Sequence, residues 1–211
     1  MSEASASERP RGGRLPRNAR RAQLLGAALD VFVERGYHAA SMDDIADEAG
    51  VSKPVLYQHF PSKLELYLAL LDSSVDTIVA AVDEALAATE DNRARVHATI
   101  DVLYSYVSKS EAAFRLVFES DLTSDPDVRT RMDRMTTETA RAVATVIRSD
   151  TGLSKVASEL LAVSLVGMAQ IGGRYWLDNA QALTKDEAVD LVSRLGWRGI
   201  SGIPLTEDPS A

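Results

Sequence analysis

The stretch Ser41-Met42-Asp43-Asp44-Ile45-Ala46-Asp47-Glu48-Ala49-Gly50-Val51-Ser52-Lys53-Pro54-Val55-Leu56-Tyr57-Gln58-His59-Phe60 divides into two short helical segments. Ser41 is a good N-cap, because its hydroxyl can accept from a helix-start amide. Asp44, three residues on, approximates a capping box with Asp in place of Glu. Asp43, Asp44 and Asp47 fall in the first turns, where the helix dipole favours negative charge. Gly50 suits the left-handed turn that ends the first segment. Ser52 caps the second, and Pro54 sits in its first turn, where a missing N–H is tolerated. Ile45, Val51 and Leu56 fill a small core between the segments, and the small Ala46 lets them cross closely. This is the spacing of a helix-turn-helix, whose second helix is held out to enter the DNA major groove.

Upstream, Leu24, Leu25, Ala28, Leu29 and Phe32 make a helical stripe that begins near Arg17 and ends at Gly36. Downstream, Pro61 breaks the chain and Ser62 caps a long helix from about Lys63 to Ala88. Helical periods follow at 93–109, 111–121, 126–149, 154–179 and 185–200, and no segment alternates with period two. The expected fold is all-α. A three-helix DNA-binding head with the helix-turn-helix, residues 17–62, precedes a helical body, residues 63–211, for which ligand binding and dimerisation are implied only by a family resemblance. Residues 1–16 read as a disordered basic arm, and the end from Ile203 as a frayed tail.

The net charge is −8 over 211 residues, which argues at first against nucleic acid. Its distribution reverses that view. Residues 1–21 carry six arginines against two glutamates, and the first 63 residues sum to +1, which leaves −9 for the rest. Charges separated by more than about 8 Å are largely screened at physiological salt, so a basic arm can meet phosphate while a distant body stays acidic. The absence of cysteine excludes disulfides and thiolate chemistry. No long apolar run or signal-like start is present, so no membrane association and a cytoplasmic location are expected. No nucleophile elbow, zinc-protease motif or phosphate-cradling loop occurs. The expectation is therefore no enzyme, no cofactor and no metal site.

The longer string resembles the DNA-binding signature of the TetR family of regulators. It comprises Ser41-Met42-Asp43-Asp44-Ile45-Ala46, Ala49-Gly50-Val51-Ser52-Lys53, Leu56-Tyr57, His59-Phe60 and Pro61-Ser62-Lys63. Arg35-Gly36-Tyr37 and the preceding helix also match. The resemblance implies that Lys53, Pro54, Val55 and Gln58 face base edges. It implies that Tyr57, His59 and Lys63 grip phosphates, with Ser41 and Ser52 assisting. Gln58 can bond adenine and Lys53 can reach guanine acceptors. Arg17, Arg20 and Arg21 would add backbone or minor-groove contacts to the double-stranded operator. Pro54-Val55 stands where the family commonly has Gly followed by Thr or Ser, so an operator sequence does not transfer.

In the body, the family holds a small-molecule pocket, and Leu103, Tyr106, Phe114, Phe118, Met132 and Met135 are candidates for an apolar lining. Gln170 and Arg174 are candidates to orient a polar group. Gly167, Gly172 and Gly173 within one helix imply close crossing, a kink or room for a ligand. Tyr175, Trp176, Val189, Val192, Leu195 and Trp197 are expected at a homodimer interface, paired as a four-helix bundle across a two-fold axis. A narrower likeness runs through Lys53-Pro54-Val55-Leu56-Tyr57-Gln58-His59-Phe60 and Arg174-Tyr175-Trp176-Leu177-Asp178. It is to an actinobacterial branch of the family that responds to long-chain acyl-CoA and controls fatty-acid synthase genes, and it implies a long apolar tunnel. The alternative reading is a helical apolar-ligand carrier or sensor without specific DNA binding. Lys53, Tyr57, Gln58 and Lys63 weigh against it.

Overall fold

A computed structural model describes residues 15–109 and 121–200. The described residues form eight α-helices and no strand. They are α1 (Arg17–Ala39), α2 (Met42–Glu48), α3 (Lys53–His59), α4 (Lys63–Ala87), α5 (Asn92–Lys109), α6 (Pro126–Thr151), α7 (Lys155–Asp178) and α8 (Lys185–Ile200). A single 3₁₀ turn, Asp121–Ser124, precedes α6. The expected segment 111–121 lies almost wholly outside the described residues, as do residues 1–14 of the basic arm and the C-terminal tail.

Helix ends follow side-chain chemistry. The Ser41 hydroxyl accepts from the Asp44 amide at 3.1 Å, and Asp44 Oδ2 accepts from the Ser41 amide at 3.0 Å, so the capping box is complete. Gly50, at φ 62°, closes α2: Val51 N–H donates to Ala46 O and Gly50 N–H to Asp47 O, both at 3.0 Å. That pair is the Schellman arrangement. Ser62 caps α4 through the Glu65 amide, and Asp125 caps α6 through the amides of Asp127 and Val128. Gly36 departs from the expected clean stop. The helical assignment runs through it to Ala39, but Gly36 itself has φ 74° and ψ 161°, a kink that redirects the last turn.

The head core consists of Leu24, Phe32, Ile45, Ala46, Leu56 and Phe60, which are essentially inaccessible. It continues along the first half of α4 through Leu66, Tyr67 and Leu71, and takes in Val128 from α6. Phe32, Tyr37 and Tyr67 meet ring to ring, with centroids 5.1–5.7 Å apart. In the body, α4, α5, α6 and α7 surround a cavity. Helix α8 packs on α5 and α7 through Ala188 and Val189. Between α4 and α6, Arg131 bonds Asp72 at 3.2 Å, and Arg134 pairs with Asp72 and Asp76. Helix α7 is long and apolar enough, by length and composition, to cross a membrane. It has two apolar faces: one packs on α5 and α6, and the other, discussed below, is bare.

Candidate DNA-binding head and effector pocket

Helix α3 presents its polar face outward because Leu56 is its fully buried residue. Lys53, Pro54, Tyr57 and Gln58 are exposed, and Val55 and His59 are half-buried. Tyr57 keeps 47% of its surface in solvent with no core role, so it does not close the small core. Ser52 occupies the N-cap position of α3, yet its side chain makes no cap bond. Its exposed hydroxyl can therefore serve an incoming phosphate. The Ser41 hydroxyl is engaged differently, since it also donates to Asp44 at 2.6 Å. Lys53 Nζ bonds Asp43 Oδ2 at 2.5 Å, and that hydrogen bond raises its pKa. Both side chains are exposed, so the pair is screened and readily exchanged for a DNA acceptor.

Lys63 is placed otherwise than a phosphate clamp. Its ammonium donates to the carbonyls of Tyr37 (2.7 Å), His38 (3.2 Å) and Ala40 (2.8 Å). It also lies 4.5 Å from the centre of the Tyr37 ring. An ammonium has three donors, and all three are engaged. Lys63 thus ties the kinked end of α1 to the start of α4.

The second basic element is the N-terminal turn of α1. Arg21 stacks 4.4 Å from the Phe60 ring centre. Arg20 bonds Gln23, which in turn donates to Ala49 O at 2.8 Å at the end of α2. Leu15, Arg17, Arg20, Val55, Gln58 and His59 line one shallow depression. Burial, and then the neighbouring Arg17, Arg21 and Arg20, hold the His59 pKa below the ordinary histidine value. Basic groups from α1 and polar groups from α3 therefore share one surface, and His59 stands on it with its protonation disfavoured.

In the body a cavity of about 300 Å³ lies between α4, α5, α6 and α7, with Trp197 of α8 also on its wall. Of the expected lining residues, Leu103, Met135 and Gln170 reach it. Tyr106 packs beside Met135 and Ile78, next to that wall rather than on it. Met132 packs against the head core instead. Arg174 is exposed on α7, away from the lining. Phe114 and Phe118 lie outside the described residues. Sequence reasoning missed Ile78, Val82, Ile100 and Val143, because plain aliphatic residues at helical spacing carry no sign of which face meets a void. It also missed the polar end, where Arg95 donates to Leu86 O at 3.0 Å and pairs with Asp150 at 3.4 Å. Asn92 donates to the same Asp150 carboxylate at 2.7 Å.

The expected dimer residues separate into three groups. Trp176 and Val189 are core: Trp176 stacks on Tyr104 with centroids 5.4 Å apart and donates its indole N–H to Leu183 O at 2.8 Å. Val192 packs half-buried on the same cluster, and Trp197 faces the cavity. Tyr175 and Leu195 are free on the surface, 71% and 62% exposed. They belong to a larger bare surface that spacing alone did not mark. On α7, Val156, Leu160, Val163, Ile171 and Tyr175 line up at helical intervals, with Leu191 and Leu195 on α8. An alanine methyl at Gly167 would touch nothing, so the middle of the stripe is shallow. Gly172 and Gly173, in contrast, make room for Tyr104, as the expectation of close crossing required.

Comparison with known proteins agrees with this arrangement. Residues 24–70 match the family of bacterial regulatory proteins named for TetR. The transcriptional activator FasR of Mycolicibacterium smegmatis is 47% identical over 196 residues, covering 93% of this chain and 90% of that protein. A TetR-like regulator from Rhodococcus sp. RHA1 has a solved structure at TM-score 0.68 and 30% identity, covering 90% of this chain and all of that one. Bacillus subtilis FadR, solved in complex with stearoyl-CoA, shares the fold at TM-score 0.69 and 19% identity, over 87% of this chain and 99% of its own. The chain belongs to the TetR family of helix-turn-helix transcriptional regulators.

Proposed function

We propose that this regulator binds a palindromic operator as a homodimer and that a long apolar effector in the body changes its affinity for DNA. The observation that carries this reading is the course of α6. At its start, Val128 is fully buried in the head core and Met132 packs against it. One turn further, Met135 lines the cavity together with Ile78 of α4. A ligand that displaces the Met135 wall therefore moves a rigid helix seated in the head. A coupling of this kind requires that the ligand favour one head position over the other.

The dimer partner docks on the bare stripe of α7 and α8. A stripe of this length is unusual on a monomer, and Gly167 at its centre lets two helices approach closely. Two heads related by a two-fold axis then read two half-sites. Tyr57, Gln58 and Lys53 of α3 face the DNA, His59 and Ser52 meet phosphate, and Arg17, Arg20 and Arg21 follow the adjoining backbone. The effector class is a long acyl chain, with acyl-CoA the leading candidate. The aliphatic cavity suits it, and both FasR and the stearoyl-CoA-bound FadR belong to this fold. The test is fluorescence anisotropy of labelled DNA from upstream of the chain's own gene, at fixed salt, with and without long-chain acyl-CoA. Tight binding that acyl-CoA alters supports the whole reading. Tight binding that ignores it removes the effector class, and a genome-wide selection that recovers no site favours a carrier or sensor without DNA.

A further inference from the structure

Helical threonines of this chain generally satisfy their hydroxyls locally. Thr77, Thr130, Thr136, Thr145 and Thr151 each donate to the carbonyl four residues earlier, at 2.7–3.4 Å. Thr99 of α5 and Thr139 of α6 do not. Both Oγ1 atoms are buried and have no hydrogen-bond partner among the described residues. Thr139 is 7% exposed, and both residues line the cavity. The local bond is the ordinary resource of a threonine within a helix. A buried hydroxyl left without any partner is destabilising. Valine has the same shape without that liability, and this cavity uses it at Val82, Val96, Val143, Val146 and Val166.

A second polar group lines the cavity from α7, bonded to Thr136, three residues before Thr139 on α6. Gln170 of α7 lines the same wall, and its amide meets the Thr136 hydroxyl at 3.3 Å. That is one long contact for a group with two donors and an acceptor, so it has capacity to spare. The charged residues of the lining, Arg95 and Asp150, lie elsewhere. Thr139 precedes Asp150 by eleven residues on α6, about 16 Å along a helix axis. The cavity therefore has a charged end, an aliphatic span and an uncharged polar station well inside.

We propose that the cavity selects an oxygenated acyl chain, whose hydroxyl or keto oxygen bonds Thr139 and Gln170, over a plain hydrocarbon chain. The proposal rests on reading the cavity as the effector site, and it names the ligand class of that site. With the acyl head at the Arg95 end, a separation of about 16 Å puts the oxygen about two-thirds of the way along a C18 chain. Thr139 is then a specificity-determining residue, and Thr99 offers a second hydroxyl nearer the charged end.

The test uses the full chain and the intrinsic fluorescence of Trp197, which stands on the cavity wall. Stearate, 12-hydroxystearate and 12-ketostearate are titrated into wild type, Thr139→Val and Thr99→Val, with thermal melts showing that each variant is folded. Wild type is expected to bind the oxygenated acids about tenfold more tightly than stearate, the size of one good neutral hydrogen bond. Thr139→Val is expected to lose that preference and to bind stearate at least as well as wild type does. Stearate binding equal to that of the oxygenated acids in wild type, as a bridging water on Thr139 would give, overturns the proposal alone. So does a preference that survives Thr139→Val. Failure of the three acids alone to bind overturns the proposal, and failure of stearoyl-CoA as well overturns the effector-site reading with it.

Discussion

The head and the body of this protein leave different polar groups open. In the head nearly every polar side chain near the motif is engaged within a few residues or one helix away: Ser41 with Asp44, Asp44 with Arg35 at 2.8 Å, Lys53 with Asp43, Lys63 with three carbonyls. Donors left open lie on the outer face of α3 and the first turn of α1, the surface proposed above to meet DNA. In the body Arg131–Asp72 and Lys185–Asp101 join distant helices while Arg134–Glu138 and Arg194–Asp190 are local, and the Thr99 and Thr139 hydroxyls on the cavity wall have no partner among the described residues. A reading head has to be rigid before it meets its ligand, so its inner polar groups are closed off. On the proposed reading the body has to respond to an effector, and part of its polar capacity stays open.

Several changes break or sharpen this contrast. The largest effect is expected from Leu160→Arg with Ile171→Arg, two residues that are 67% and 72% exposed on α7. Sedimentation should show a folded monomer, and operator affinity should fall by about 100-fold or more as the second half-site is lost. Tyr57→Ala with Gln58→Ala should weaken operator binding by about 3 kcal/mol, measured by anisotropy, without shifting the melting temperature. Lys63→Met should do the reverse. Loss of its charge-assisted bonds should cost about 2 kcal/mol of stability in a denaturant melt, with DNA binding recovered at low temperature. A Lys63 that instead mattered for binding and not for stability would return it to the phosphate contacts. Gly50→Ala should cost about 1 kcal/mol, because φ 62° is unfavourable for a residue with a Cβ.

The smallest effect concerns pH. The His59 pKa is depressed in the folded head, so the folded state resists a proton that the unfolded chain accepts near 6.5. Its contribution to stability is full above that value and is lost as pH falls from there through the lower folded value. A phosphate bound beside the ring, as proposed above, would offset the arginines and draw the pKa back up. Operator binding should therefore take up a proton and tighten between pH 8 and pH 6, by no more than about fivefold. His59→Gln should flatten the profile.

The two regions also differed in how much their sequence disclosed. Ser41, Gly50, Ser62 and Asp125 each mark a helix end through a local bond, and the structure has those ends within a residue or two. The capping box and the left-handed Gly50 were legible for the same reason. Lys63 was not: its partners are carbonyls 23 to 26 residues away, and nothing local distinguishes it from a phosphate ligand. Trp176 and Trp197 belong to helices whose apolar residues surround more than one side. Composition there says that two faces are covered, not which face meets the core, the cavity or a partner. Gln170 was singled out as a polar orienting group and does reach the cavity, whereas Thr139 drew no attention, since a threonine in a helix usually signals nothing.

The packing of Tyr104 against α7 constrains how this protein can change over generations. Its hydroxyl, buried without a partner among the described residues and with its pKa pushed up to about 12, sits where a methyl group on Gly172 would come within 2.8 Å. Neither residue is free to vary alone in the direction the other forbids. Alanine at Gly172 collides with the tyrosine oxygen, yet it fits once that oxygen has gone. Tyr104→Phe has to come first and Gly172→Ala second. The order of the two substitutions decides whether a lineage crosses between the two packings or remains confined to one.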